Sequence, residues 1–88
     1  MRVYALPTEA SLARQIKQKK RAITLLRELQ HKNQHFGCTI ILARILRVFA
    51  QEKISLSAQQ LNRLFNECKE RPDKETRDWL KRIARGQE

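Results

Sequence analysis

An all-α fold, a compact bundle of about four helices around a buried second helix, is the prediction from this 88-residue sequence. Glycine and proline, which interrupt helices, occur twice each. Apolar residues recur at helical spacing, and no run of alternating residues marks a half-buried strand. Residues 38–50 are apolar on most of the circumference of a helix, which is typical of a helix that several neighbours bury. We therefore predict one helical domain over residues 1–88.

The central helix is predicted over residues 39–51. Its apolar run is shorter than the about 20 residues that a membrane span needs. Arg44 and Arg47 near its middle would also be costly in lipid. These observations predict a buried helix of a soluble protein and no membrane association.

A first helix is predicted over residues 9–31, after an N-terminal arm of residues 1–7. Pro7 prevents a helix from extending upstream, Thr8 is a suitable N-cap, and Glu9 is favoured in a first turn. The core-facing side repeats at a helical period that is interrupted near the middle of the helix. It consists of Leu12, Ile16, Ile23 and Leu26.

A third helix is predicted over residues 58–70. It starts at a capping box in which Ser57 is the N-cap and Gln60 is the third helical residue. The loop before it contains Ile54 and Leu56, which we expect to fill the core. One apolar stripe follows along the helix, formed by Leu61, Leu64, Phe65 and Cys68.

A fourth helix is predicted over residues 74–85. Pro72 prevents the third helix from continuing, Asp73 is a suitable N-cap, and Gly86 can adopt the left-handed conformation that ends many helices. The side chains that we expect this helix to bury are Trp79, Leu80 and Ile83.

The charge of the chain favours polyanionic partners. Nineteen Lys and Arg residues against nine Asp and Glu residues leave a net charge of +10, with a sequence pI of about 10.5. Residues 1–36 carry eight basic and two acidic residues, a net +6, whereas residues 57–88 carry eight and six, a net +2. The sequence therefore predicts a small nucleic-acid-binding protein, regulatory or accessory, that contacts phosphates through its first helix. A basic surface without a partner is the plain alternative.

The predicted binding residues are basic side chains of the first, third and fourth helices. Arg14, Lys17 and Arg21 share one face of the predicted first helix, and a basic rod of this kind can follow a phosphate backbone without reading its sequence. The full predicted set is Arg14, Lys17, Lys19, Lys20, Arg21, Arg27, Arg63, Arg77, Lys81 and Arg85.

A helix-turn-helix arrangement of the second and third helices is an alternative way to contact DNA. The third helix would then present polar side chains that can read base edges, namely Gln59, Gln60, Asn62, Arg63 and Asn66. The connection over residues 52–56 argues against this arrangement, because it lacks glycine and exceeds the usual three or four residues.

A helical protein-interaction module is the competing function class. Such an adaptor or inhibitor would bind an acidic surface of a larger protein. A homodimer is a separate prediction about the bundle, because the first helix is long relative to its apolar stripe and could pack against a second copy of the chain. Arg44 and Arg47 on the otherwise apolar central helix favour this class if they lie in an exposed apolar patch.

The two cysteines are too few for the disulfide framework of a short secreted domain. We therefore expect reduced thiols in an intracellular protein, cytoplasmic, or nuclear if eukaryotic, given the basic cluster at residues 17–21. His31, His35, Cys38 and Cys68 could suit zinc, but the usual paired cysteine spacing is missing. No phosphate loop or nucleophile–base pattern occurs, so we predict no metal, no cofactor and no enzymatic activity.

Overall fold

Five helices make up the computed structural model, which describes residues 6–87. They are α1 (Glu9–Lys17), α2 (Ala22–Lys32), α3 (Cys38–Gln51), α4 (Ala58–Glu67) and α5 (Lys74–Ala84). No strand occurs within the described residues, so the predicted all-α helical bundle is confirmed. Of the predicted N-terminal arm, residues 1–5 lie outside the described part, and Leu6 packs against the core.

The helix predicted over residues 9–31 is two helices, and the count is therefore five instead of about four. Lys19 adopts the left-handed conformation, with φ of 65°. Its N–H donates to the carbonyl of Ile16 at 2.8 Å, and the N–H of Lys20 donates to that of Gln15 at 3.2 Å. This pair of bonds is a Schellman motif, which ends α1 and turns the chain. The interruption of the apolar period lies at the same place.

The predicted central helix is α3, which packs against α1, α2 and α5, while α4 packs against α2. Arg44 of α3 is half-buried and donates from Nη1 to the carbonyl of Pro7 at 3.4 Å. Ile40 is exposed near the start of the helix. The buried residues of α3 are Ile41, Leu42, Ala43, Ile45, Leu46, Val48 and Phe49.

The predicted helix caps are confirmed. Thr8 accepts from the N–H of Ser11 at 3.1 Å, and Asp73 accepts from that of Thr76 at 2.8 Å. Both bonds of the capping box between Ser57 and Gln60 are present, at 2.8 and 3.1 Å. Each side chain satisfies backbone N–H groups that have no partner within the first helical turn. Gly86 has φ of 74° and ends α5 in a Schellman motif like the one at Lys19.

Two predicted core residues lie at the surface. Trp79 is 39% exposed, because α5 buries Leu80 and Ile83 and leaves the tryptophan at the edge of that face. Ile54 is 38% exposed, whereas Leu56 is half-buried and packs against the core. The apolar stripe of α4 is buried as predicted. Its helix ends at Glu67 instead of residue 70, since the next residue is extended.

A disulfide joins Cys38 to Cys68, with their Cα atoms 5.7 Å apart. The prediction of reduced thiols is therefore wrong, and the predicted intracellular location loses the argument that rested on them. The two cysteines are 30 residues apart in sequence, but α4 runs back so that its C-cap meets the first turn of α3. The bond joins the start of α3 to the end of α4, at the opposite ends of these helices from the connection at residues 52–57.

We expect reduction of the disulfide to lower the free energy of unfolding by about 3 kcal/mol, because the closed loop restricts the unfolded chain. Urea unfolding with and without a reducing agent measures the difference. A double variant, Cys38→Ser with Cys68→Ser, should show the lower stability under both conditions. Equal stability of the oxidised and reduced wild type would contradict this expectation.

Lys53 ends α3 in the same left-handed conformation that Lys19 adopts after α1. Its φ is 58°, and the N–H of Ile54 donates to the carbonyl of Phe49 at 2.9 Å. A residue with a Cβ atom is strained in the left-handed conformation, whereas glycine is not. We therefore expect Lys53→Gly to raise the free energy of unfolding by about 1 kcal/mol.

Thermal or urea unfolding of three proteins tests the effect of Lys53→Gly. The matched control is Lys69→Gly, which removes the same side chain from an exposed position without positive φ. Glycine there gives the unfolded chain more freedom, so this control should be no more stable than the wild type. A similar change in both variants would show that charge, not backbone strain, is responsible.

Candidate functional site

A groove of about 500 Å³ lies where the α1–α2 turn meets the α3–α4 connection and α4. We call it the basic groove, because four of the ten predicted binding residues line it. These are Lys19, Lys20, Arg21 and Arg63. Its other lining is mainly apolar and consists of Ile16, Ala22, Ile23, Phe49, Ile54, Leu56 and Leu64, with Ser55 and Gln60.

Two helix ends position the walls of the basic groove. The left-handed turn at Lys19 directs the chain from α1 into α2, with Arg21 as the N-cap of the second helix. The matching turn at Lys53 leads into Ile54 on the opposite wall. Since the capping box also holds Gln60 against Ser57, the backbone around the groove is fixed by local hydrogen bonds on both sides.

Three of the four groove cations are exposed, namely Lys19, Arg21 and Arg63. The fourth, Lys20, is half-buried, and its Nζ lies 3.2 Å from Oε2 of Glu28 and 3.4 Å from Oε1 of Gln15. Lys20 is thus partly neutralised. The N-terminus of α2 adds partial positive charge at Arg21, which makes no side-chain capping hydrogen bond.

Arg27 is paired with Glu67 across α2 and α4. Its Nη2 lies 2.7 Å from Oε1 and its Nε lies 3.1 Å from Oε2 of that carboxylate. The hydrogen bonds from Arg27 hold the pKa of Glu67 below its ordinary value, and the charges of Arg27 and Arg63 act in the same direction. This bidentate bond engages the guanidinium of Arg27, which lies outside the groove lining.

The other predicted binding residues lie on two further parts of the surface. Arg14 and Lys17 are exposed on α1, and because that helix ends at Lys17, the predicted continuous face with Arg21 is interrupted. On α5, Arg77 donates from Nη1 to the carbonyl of Pro72 at 2.7 Å. The remaining two are the half-buried Lys81 and the exposed Arg85. No residue of α5 lines the basic groove.

The connection between the two helices of the predicted helix-turn-helix spans six residues, 52–57, instead of the usual three or four. In addition, α4 packs mainly on α2. Both observations argue against that arrangement. The polar residues of α4 are exposed as expected, but Asn62 already accepts a hydrogen bond from Arg71 at 2.8 Å.

A second depression, of about 800 Å³, lies beside the disulfide. Lys69 and Glu70 are its charged lining residues, so their charges cancel. Because both cysteines are in the disulfide, neither is a thiolate ligand for zinc. Within residues 6–87, no three His, Cys, Asp or Glu side chains form a cluster that could hold a metal ion.

Sequence reasoning missed Ile54 as an exposed part of a site. It assigned Ile54 and Leu56 to the core, because polar and apolar residues alternate over residues 53–57 and place both on one face. No local signal distinguishes the exposed Ile54 from the half-buried Leu56, because the groove forms only where separate helices meet. Phe49 is buried, as expected for the central helix, and it also lines the groove.

Comparisons with protein-family models, with curated proteins and with solved structures gave no match to this chain. Among the described residues, no helix has both the length and the apolar character that crossing a bilayer requires.

The Arg27–Glu67 pair predicts a pH-dependent contribution to stability. Because the folded-state pKa of Glu67 is lowered, the contribution is present above the unfolded-state pKa and is lost as pH falls through the folded-state pKa. Glu67→Gln should therefore be slightly less stable than the wild type at neutral pH, and the difference should shrink in acid.

Unfolding curves at neutral and acidic pH measure the effect of Glu67→Gln. Glu70→Gln, at an exposed position three residues further along the chain, controls for the loss of one negative charge. Parallel pH profiles of the wild type and Glu67→Gln would contradict a stabilising role for this pair.

Proposed function

We propose that the protein binds nucleic acid through its phosphate backbone, with the basic groove as the main contact. The observation that carries the proposal is the convergence of Lys19, Arg21 and Arg63, from different elements, on one concave surface. Four basic residues and no acidic residue line this groove. A polyanion placed there meets several cations at once and releases its counterions.

The charge of the whole chain supports a polyanionic partner. With a net charge of +10, the positive charges of the folded protein repel one another. Among residues 6–87, Lys20, Arg27 and Lys74 form ion pairs with Glu28, Glu67 and Asp78, which neutralise few of the cations. Binding a polyanion would relieve this repulsion. The field would also accelerate the approach of nucleic acid at low salt.

The role of the protein in this proposal is binding and not catalysis. Phosphate contacts hold and orient a nucleic acid without reading its sequence. We therefore propose an accessory or regulatory protein with weak sequence preference. Arg14 and Lys17 on α1 would extend the contact beyond the groove.

A protein-interaction module is the second candidate, and one observation favours it. The uncharged lining of the basic groove is mainly apolar, with Ile54 exposed and Leu56 half-buried. An amphipathic helix with an acidic rim could occupy such a groove. The net charge of the chain favours nucleic acid over this candidate, because many of the basic residues lie outside the groove.

Neutralising the three exposed groove cations tests the proposal. In the triple variant Lys19→Ala, Arg21→Ala and Arg63→Ala, affinity at low salt should fall at least tenfold. Plots of log K against log salt have a negative slope, and each lost phosphate contact reduces its magnitude by about 0.7 for a single strand and about 0.9 for a duplex. In fluorescence anisotropy titrations, the slope should therefore become shallower by about 2 to 3.

A control triple variant removes the same charge from exposed lysines outside the groove, Lys32→Ala, Lys69→Ala and Lys74→Ala. It should keep most of the affinity and of the salt slope. Equal losses in the two triple variants would contradict the groove as the contact. No binding of DNA or RNA by the wild type at low salt would contradict the function itself.

A further inference from the structure

The lining of the basic groove presents apolar surface beside its cations. Ile54 is 38% exposed on one wall, and Ile23 on the other wall is half-buried, as is Leu56. Arg21 and Ile23 lie two residues apart at the start of α2. Cationic and apolar contacts are therefore available to one ligand at the same place.

A duplex and an unpaired strand differ in the surfaces that they can place against this apolar lining. In a duplex the base faces are stacked on one another, and the outer surface offers phosphates, sugars and polar base edges. In a single strand the bases can splay out, and each presents a flat, weakly polar face. The apolar lining of the groove would therefore find no apolar face to contact in a duplex, whereas an unpaired base would cover it.

Resting on the nucleic-acid function proposed above, we propose that the basic groove holds an unpaired nucleotide of single-stranded nucleic acid. Its base packs against Ile54 and Leu56, and its flanking phosphates meet Lys19, Arg21 and Arg63. The volume of about 500 Å³ is within the range of about 300–1,000 Å³ that is usual for small-ligand pockets. A nucleotide-sized group is accordingly of suitable size.

The groove also indicates how selective the site is among bases. Its uncharged polar side chains are Ser55 and Gln60, and Oε1 of Gln60 already accepts the N–H of Ser57 at 2.8 Å. Phe49, the one aromatic lining residue, is 5% exposed, so aliphatic contacts replace aromatic stacking. Few groups remain to read base edges, and the site accepts different bases with modest affinity.

The test compares single strands with a duplex of the same sequence. Strands of about 12 nucleotides, as RNA and as DNA, match the length that small single-strand-binding domains cover. Anisotropy titrations at about 0.1 M salt should show binding to single strands at least tenfold tighter than to the duplex. Ile54→Ser should weaken single-strand binding at least threefold and leave duplex binding unchanged. Ile54→Phe, which adds an aromatic face, should strengthen single-strand binding severalfold.

The matched control is Ile40→Ser, which makes the same change at an apolar residue that is 55% exposed and lies outside the groove. It should leave both affinities unchanged. Because Ile40 and Ile54 are exposed, circular dichroism should show the same helicity in all variants.

The outcomes separate this inference from the function on which it rests. Equal or tighter binding of the duplex, with no effect of Ile54 variants, would overturn the single-strand site and leave nucleic-acid binding intact. Failure to bind any strand or duplex at low salt would overturn both. In that case, Ile54-dependent binding of an acidic amphipathic peptide would assign the groove to a protein partner.

Discussion

The burial of α3 on nearly all sides is the constraint on which the rest of the structure depends. A helix with apolar side chains around most of its circumference must be covered from several directions. One straight helix over residues 9–32 would cover a single stripe of it. The break at residues 18–21 lets α1 and α2 pack on α3 separately, with Leu12 and Leu26 both fully buried. The left-handed backbone of Lys19 is thus a consequence of covering α3.

That same break determines where the cations lie. The turn places three consecutive basic residues, at positions 19–21, at a corner between α2 and the α3–α4 connection, where Lys19 and Arg21 are exposed and Lys20 is half-buried. Arg63 of α4 reaches this corner because α4 packs on α2. The acidic side chains that engage cations nearby, Glu28 and Glu67, bind Lys20 and Arg27. Neither carboxylate lines the groove, so the lining itself carries only positive charge.

Local signals explain what could be predicted from the sequence. The caps at Thr8, Ser57 and Asp73 depend on side chains that bond backbone groups within one turn, and the periodicity of α3 and α4 depends on one helix alone. The disulfide, the exposure of Trp79 and the groove depend on how separate helices pack. Lys19 in a left-handed turn could not be foreseen, because lysine is a common helix former and glycine is the usual residue there.

The chemistry of the groove follows from the limited core of a small domain. The connection over residues 52–57 must pass from the end of α3 to the capping box of α4, and it buries Leu56 more than Ile54. Ile54 therefore stays in contact with water beside the cations of the groove, although burying it would stabilise the fold. A partner that carries anionic groups and an apolar face relieves the charge repulsion and covers Ile54 in one step. Such a partner would bind the folded chain in preference to the unfolded one, so binding would also stabilise the bundle.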